Sequence, residues 1–403
     1  MDFTPPPRSA WSIQDDITYL NHGSFGLAPI VVQECREEWS RKLERNPMDF
    51  FLREMEPALD EAMASLSKFV GADPRDMVFV DNATVAMNVV AENIELKAGD
   101  EVLLNDHEYG AVFRIWRQKC DQVGARVVSA RVGNFSDPQD STNDSGQTNM
   151  TRRVVNSIFN AVTDKTRLIV VSHITSPSAI IFPVAEICRE ARERGIPVCI
   201  DGPHAIAMRD VNLTKIDCDF YCASLHKWLS APFGSGFLYV KRKYQQRLKP
   251  HMISWGRSLG GRDERWQDHI NWLGTRDPAP FLAVPAAISF LEVVGLESFR
   301  SWTHEIARYA REKLERLFDT KAWVPDSPDW YGAMIAVPLP ASDVKKAKPN
   351  AMHPLQQQLW ERYQIEIPIS ECCGQSFIRV SCHLYNTRDD IDRLIDALSK
   401  LMA

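Results

Sequence analysis

The chain has 403 residues, 44% of them apolar, with nine cysteines and a net charge of -6. That length suits two or three domains around a large core, and the mild acidity, with a pI near 6.0, offers nothing to nucleic acid or an anionic membrane surface. No run approaches the ~18 consecutive apolar residues of a membrane span, residues 1–7 lack the basic and apolar regions of a signal peptide, and the scattered cysteines, odd in number, read as reduced thiols, so a cytoplasmic protein is expected.

Residues 1–20 predict an N-terminal arm, extended at Pro5-Pro6-Pro7. Residues 29–69 read as mainly helical, with a break at Asn46-Pro47. From residue 75, short apolar runs alternate with amphipathic stretches. Strands are predicted over 77–80, 101–104, 126–130, 168–172, 196–200, 219–223 and 236–240, with helices from Thr84, through Trp116 and over 185–193. This alternation predicts an α/β large domain over 21–275 on a mostly parallel seven-stranded sheet. Residues 133–149, rich in Asn, Asp, Ser, Thr and Gly, predict an exposed loop insertion. After Pro280, one helical face carries Phe281, Val284, Ile288 and Leu291. That long helix leads into a smaller α+β C-terminal domain over 276–403, with strands near 332–337 and 377–381 and a last helix from Arg388.

Two strand ends carry chemistry. Asp201 closes the run Ile196-Pro197-Val198-Cys199-Ile200, and Ser224-Leu225-His226-Lys227 follows Phe220-Tyr221-Cys222-Ala223. Ligands in open α/β sheets bind beyond the carboxyl ends of strands. An amine and a carboxylate placed there suit an aldehyde cofactor with a basic ring nitrogen, pyridoxal 5'-phosphate. The lysine bonds the aldehyde, and the carboxylate keeps the ring nitrogen protonated. His204, three residues past Asp201, is in reach of the same ligand. Asp81-Asn82-Ala83-Thr84 follows a strand and opens a helix, offering N–H groups and a hydroxyl to a phosphate. Each feature has an ordinary alternative: Asn82 or Thr84 as a helix cap, Asp201 as a loop acid, His204 as a structural histidine. Their conjunction points to the cofactor. No metal is expected.

On these residues the chain resembles the class V group of fold-type I pyridoxal-phosphate enzymes, which includes the cysteine desulfurases and isopenicillin N epimerase. The resemblance runs from Leu20-Asn21-His22-Gly23-Ser24-Phe25-Gly26 to Tyr385-Asn386-Thr387. The opening segment and Asn46-Pro47-Met48-Asp49-Phe50 are most similar to the epimerase subgroup. The resemblance implies that Lys227 bonds the cofactor, Asp201 pairs with its ring nitrogen and His204 meets its 3-oxygen. Ala83, Thr84, Ser224 and His226 would hold the phosphate, and Tyr109 would stack on the ring where many relatives carry a histidine. Arg379, with Asn21 and His22, would bind substrate; a guanidinium grips a carboxylate in a two-bond fork. Thr275, in Gly274-Thr275-Arg276-Asp277, would reach the phosphate of a partner subunit, implying a homodimer with shared sites.

The implied substrate is a small molecule, an amino acid or peptide, altered at Cα as by an epimerase. Lys227 is then one base, and Tyr109, His22 and His107 are candidates for an acid opposite it. The alternative is desulfuration or carbon–sulfur lysis of cysteine or a conjugate. Cys372 and Cys373 lie seven and six positions before Arg379. That interval is short for the mobile thiol loop a desulfurase needs, whereas β-elimination needs no such thiol.

Overall fold

The computed structural model describes residues 3–135, 146–340 and 352–402. Seven strands form the large sheet: β1 (Met77–Val80), β2 (Glu101–Asn105), β3 (Arg126–Ala130), β4 (Thr166–Ser172), β5 (Val198–Asp201), β6 (Phe220–Ser224) and β7 (Gly236–Val240). Their order is β1-β7-β6-β5-β4-β2-β3. β7 runs antiparallel to both neighbours, and the other pairings are parallel. The expected mostly parallel seven-stranded sheet is therefore present.

The central strands are apolar throughout because both sheet faces are covered. Side chains alternate between the faces: Met77 and Phe79 join one core cluster, while Val78 and Val80 join the other. Ile169 and Val171 divide from Leu168 and Val170 in the same way. This double burial leaves the strand ends as the places where polar side chains can meet a ligand.

The smaller sheet has β8 (Met334–Pro338), β9 (Ile369–Cys372) and β10 (Gln375–Ser381) in the order β9-β10-β8, all antiparallel. The hairpin partner β9 has no counterpart among the expected strands. The single long helix expected after Pro280 is broken. Gly295, at φ +88°, separates Val284–Val294 from Leu296–Phe318, and the two segments meet at 78°. Among the described residues no single helix is long and apolar enough to cross a membrane.

Part of the insertion expected over 133–149, residues 136–145, lies outside the described residues. Its last four positions are helical, since a helix spans Gly146–Phe159; an apolar stripe after the polar run extends the helix back to Gly146. The break at Asn46-Pro47 is present, where the Asn46 side chain accepts from Asp49 N at 3.2 Å. Of the N-terminal arm, Met1 and Asp2 lie outside the described residues. Trp11 is buried against Phe290, His383 and Tyr385. Thr18–Tyr19 pairs in parallel with Ile365–Glu366, so the arm is stitched to the C-terminal part of the chain.

Candidate active site

The site is assembled at the carboxyl ends of β4, β5 and β6. Asp201 ends β5, in register with Ser172 of β4 and Cys222 of β6. It is only 6% exposed, and its carboxylate takes no hydrogen bond from the described residues. Burial raises its pKa, and the nearby Glu108 carboxylate raises it further. Burying a carboxylate without a donor is costly unless a partner arrives.

Lys227 lies three residues beyond β6, half-buried, its Nζ 3.0 Å from Nε2 of His204. His204 is buried, and its Nδ1 accepts from Trp228 Nε1 at 3.3 Å. A neutral imidazole has one donor and one acceptor nitrogen. With Nδ1 accepting, Nε2 carries the hydrogen and donates to the Lys227 amine, which must then be neutral. Burial pushes the Lys227 pKa down, helped by the Arg379 charge, and burial likewise holds His204 well below the ordinary histidine range.

The opening segment clamps this lysine from the backbone side. His22 Nε2 donates to the Lys227 carbonyl at 2.9 Å, and Tyr385 OH donates to His22 Nδ1 at 2.8 Å. Both ring nitrogens of His22 are thereby engaged. Burial lowers its pKa to about 3, and its ring stacks on His383 with centroids 4.0 Å apart. Gly26 is required here: a Cβ would lie 2.3 Å from the His226 carbonyl oxygen and 2.8 Å from that of Lys227.

Just beyond β1 the helix Ala83–Asn93 begins, capped by Asn82, whose side chain accepts from Val85 N at 3.0 Å. Ala83 N donates to Ser224 Oγ at 2.9 Å, tying this first turn to the end of β6. Thr84 is exposed and His226 half-buried. Asp81 is ion-paired with Arg276, which brings the segment holding the exposed Thr275 beside the same turn.

On the small sheet, Arg379 of β10 is buried. It donates from Nη1 to the Ser176 carbonyl at 2.7 Å and Ser176 Oγ at 3.1 Å, and from Nη2 to Ser24 Oγ at 2.7 Å. Its Nε is buried without a partner. Burial lowers its pKa to about 10, so it stays charged near neutrality. Asn21 is bridged to Ser381 on the same strand, and its Oδ1 is also unpartnered. Tyr109 caps the helix Gly110–Val123 and stands exposed, close enough to influence the Arg379 charge.

The structure thus brings Asp201, His204, Ser224 and Lys227 together with the Ala83 turn, and sets Arg379 within electrostatic reach of Tyr109. The buried, donorless Asp201 carboxylate and the orphaned Arg379 Nε fit a bound group with a protonated ring nitrogen and an anionic substrate. Three contributors had no sequence signal of their own. Glu108 is held by Ser172 Oγ at 2.5 Å, Asn105 Nδ2 at 3.1 Å and Tyr109 N at 3.1 Å. Trp228 sets the His204 tautomer, and Ser176 anchors Arg379. Trp228 adjoins the lysine motif and Glu108 adjoins Tyr109, but no periodicity marks either.

Comparison with known proteins fits this geometry. The family described as Aminotransferase class-V matches residues 21–394. The chain is 33% identical to isopenicillin N epimerase of Streptomyces clavuligerus, covering 98% of this chain and 97% of that one. It is 28% identical to a putative L-cysteine desulfhydrase 1 of Oryza sativa subsp. japonica, over 96% and 83% of the two chains. Among solved structures, a C-DES mutant with glycine covalently linked to its PLP cofactor shares the fold. Its TM-score is 0.80 at 19% identity, covering 98% of this chain and 99% of that one.

Proposed function

This chain belongs to the class V aminotransferase family of pyridoxal-phosphate enzymes, and we propose that it acts as an epimerase at Cα of an amino acid or amino-acid-derived substrate. The observation that carries this reading is the Lys227 amine, its pKa lowered by burial and by Arg379 and its Nζ 3.0 Å from His204 Nε2, in a chain whose epimerase likeness spans nearly its whole length.

Pyridoxal phosphate, when bound, supplies an aldehyde and a protonated ring that draws off the electron pair left at Cα. Asp201 holds the proton on the ring nitrogen, because its buried carboxylate has no other donor. His204, its ring oriented by Trp228, would offer Nε2–H to the ring 3-oxygen in place of the Lys227 amine. Ala83, Thr84, Ser224 and His226 hold the phosphate. Arg379 binds the substrate α-carboxylate, with Ser24 and Ser176 fixing its plane and Asn21 lining the approach. Lys227, as a neutral amine, would take the Cα proton on its own side.

A proton must also be delivered from the opposite face. His22 and His107 are poorly suited, since both ring nitrogens of each are bound by protein groups. Tyr109, exposed beside Arg379, is the donor of choice. Thr275 is proposed to complete the phosphate site of a second subunit in a homodimer, in keeping with its exposure.

Against desulfuration stands the position of the thiols. Cys372 pairs with Gln375 across the hairpin, four residues along β10 from Arg379, or roughly 13 Å of strand. β-Elimination of sulfur needs no thiol and is favoured by the desulfhydrase likeness, so it is the competing outcome. The decisive measurement incubates the holoprotein in D2O with amino acids, peptides, cysteine and a cysteine conjugate. α-Proton exchange, chiral inversion, sulfide and pyruvate are followed together. Exchange with inversion and no obligatory sulfide is expected; rapid sulfide and pyruvate with no inversion of any substrate would sink the epimerase reading.

A further inference from the structure

The hairpin between β9 and β10 carries a second constellation, unused by the chemistry above. Adjacent residues in a strand point to opposite faces. Cys373 escapes that rule because it adopts φ +49°, followed by Gly374 at φ +78°, the left-handed pair of a two-residue hairpin turn. A cysteine is an unusual occupant of a left-handed position, where glycine and asparagine are normal. The consequence is that the sulfurs of Cys372 and Cys373 converge at 3.7 Å, both directed at the Asp106 carbonyl, 3.6 and 3.8 Å away.

His107 completes the group. One ligand atom from each of His107, Cys372 and Cys373 lies within 4.8 Å of the others. We propose that these three side chains form a binding site for a thiophilic divalent cation of the zinc type, with a fourth position open to solvent.

Three features argue for it. A tetrahedral zinc with Zn–S bonds of about 2.3 Å requires its sulfurs about 3.8 Å apart, which matches the sulfur separation here. The imidazole is already oriented: Nε2 faces the Gly133 carbonyl at 2.8 Å, an acceptor only, so Nε2 carries the hydrogen and Nδ1 holds the lone pair. That lone pair now accepts from Ser178 Oγ at 2.7 Å. A carbonyl holding the far N–H is the arrangement that orients metal-bound histidines, and the ion need only displace the serine hydroxyl. Finally, Phe135, Phe182 and Trp323 surround the His107 ring, while Cys373 is exposed and provides the way in.

Binding exchanges the two S–H protons, released to solvent, for one divalent cation, leaving the site neutral overall.

The test uses reduced, chelator-treated holoprotein titrated with Zn2+, and with Cd2+ to read the ultraviolet thiolate-to-cadmium band. About one ion per chain is expected, bound at least about tenfold more weakly by Cys372→Ser and by Cys373→Ser. Cys35→Ser, which alters a partly exposed thiol elsewhere, should bind as the parent does. Cys373 sits in an exposed turn, so its variant should fold, checked by an unchanged melting curve in chelator. Binding well below one ion per chain, or binding and a thiolate band retained in both hairpin variants, overturns the site.

Discussion

Asp201 and His204 on the floor of the Lys227 site are 6% and 2% exposed, whereas Tyr109 and Phe25 at its rim are 48% and 63% exposed. The floor is built at the ends of strands covered on both faces, so backbone register alone sets where its side chains begin. The rim is drawn from the opening segment, the Tyr109 turn and β10, brought together across the fold, with its Arg379 itself buried. On the proposed reading the difference divides the labour: such a floor would stabilise charge at Cα, and the rim would choose between returning the proton and expelling a β-substituent. Relatives named as epimerases and as desulfhydrases are therefore compatible with one floor.

The largest effect should come from the floor. Lys227→Ala is expected to fold and to lose α-proton exchange by at least about a thousandfold, within the range of a positioned general base. Borohydride treatment of the parent should fix the cofactor on the Lys227 peptide; a label on Lys241 or Lys243 would contradict the assignment. Asp201→Asn should lose about ten- to a hundredfold, the size of one charge-assisted contact at ~1.5–3 kcal/mol, with an unchanged melting profile. Exchange as fast as the parent's would remove Asp201 from the mechanism.

At the rim, Arg379→Ala should act mainly on binding. A rise in KM of about tenfold or more is expected, with Arg379→Lys recovering only part because an ammonium lacks the planar fork. Should kcat fall while KM is unchanged, floor and rim would no longer separate as binding and chemistry.

The smallest effect tests the floor's burial through pH. Burial lowers the pKa of His173, which follows β4 and whose Nδ1 lies 2.9 Å from the Tyr221 hydroxyl, to about 3, against an unfolded value near 6.5. Between those values the unfolded chain binds protons that the folded chain does not, so stability falls as pH drops below about 6.5. Each such histidine contributes about 1.4 kcal/mol per pH unit. His173→Gln should make the acid slope of denaturant-measured stability shallower by about one histidine's share; an unchanged slope would mean that His173 is not held neutral in the fold.

Much of the floor was legible because its information is local. Asp201 and Lys227 each follow a continuous apolar run, and such a run can end only where the sheet stops being covered. The Asn82 turn announced itself as strand, polar cap, then helix. The rim residues came only from the family resemblance, and their supports were not legible. Arg379 depends on Ser24 and Ser176, 355 and 203 positions away. The break at Gly295 was hidden by an apolar stripe that continues on both sides of it. The hairpin strand β9 has a mixed sequence, Ile369-Ser370-Glu371-Cys372, so the partly exposed edge of a small sheet left little pattern.

By itself the sequence determined the α/β alternation, the family and the cofactor, because strand periodicity and the Asp201 and Lys227 motifs are short-range facts of the chain. Only the tertiary structure decided which nitrogen of His204 carries its hydrogen, that the Lys227 carbonyl is held by His22, that Glu108 sits near Asp201, and that Cys372 and Cys373 turn toward His107. Those depend on contacts between segments up to 267 residues apart, and on a left-handed turn at Cys373 that residue type alone disfavours. Hydrogen-bond geometry and burial arise from packing, and packing has no period along the chain.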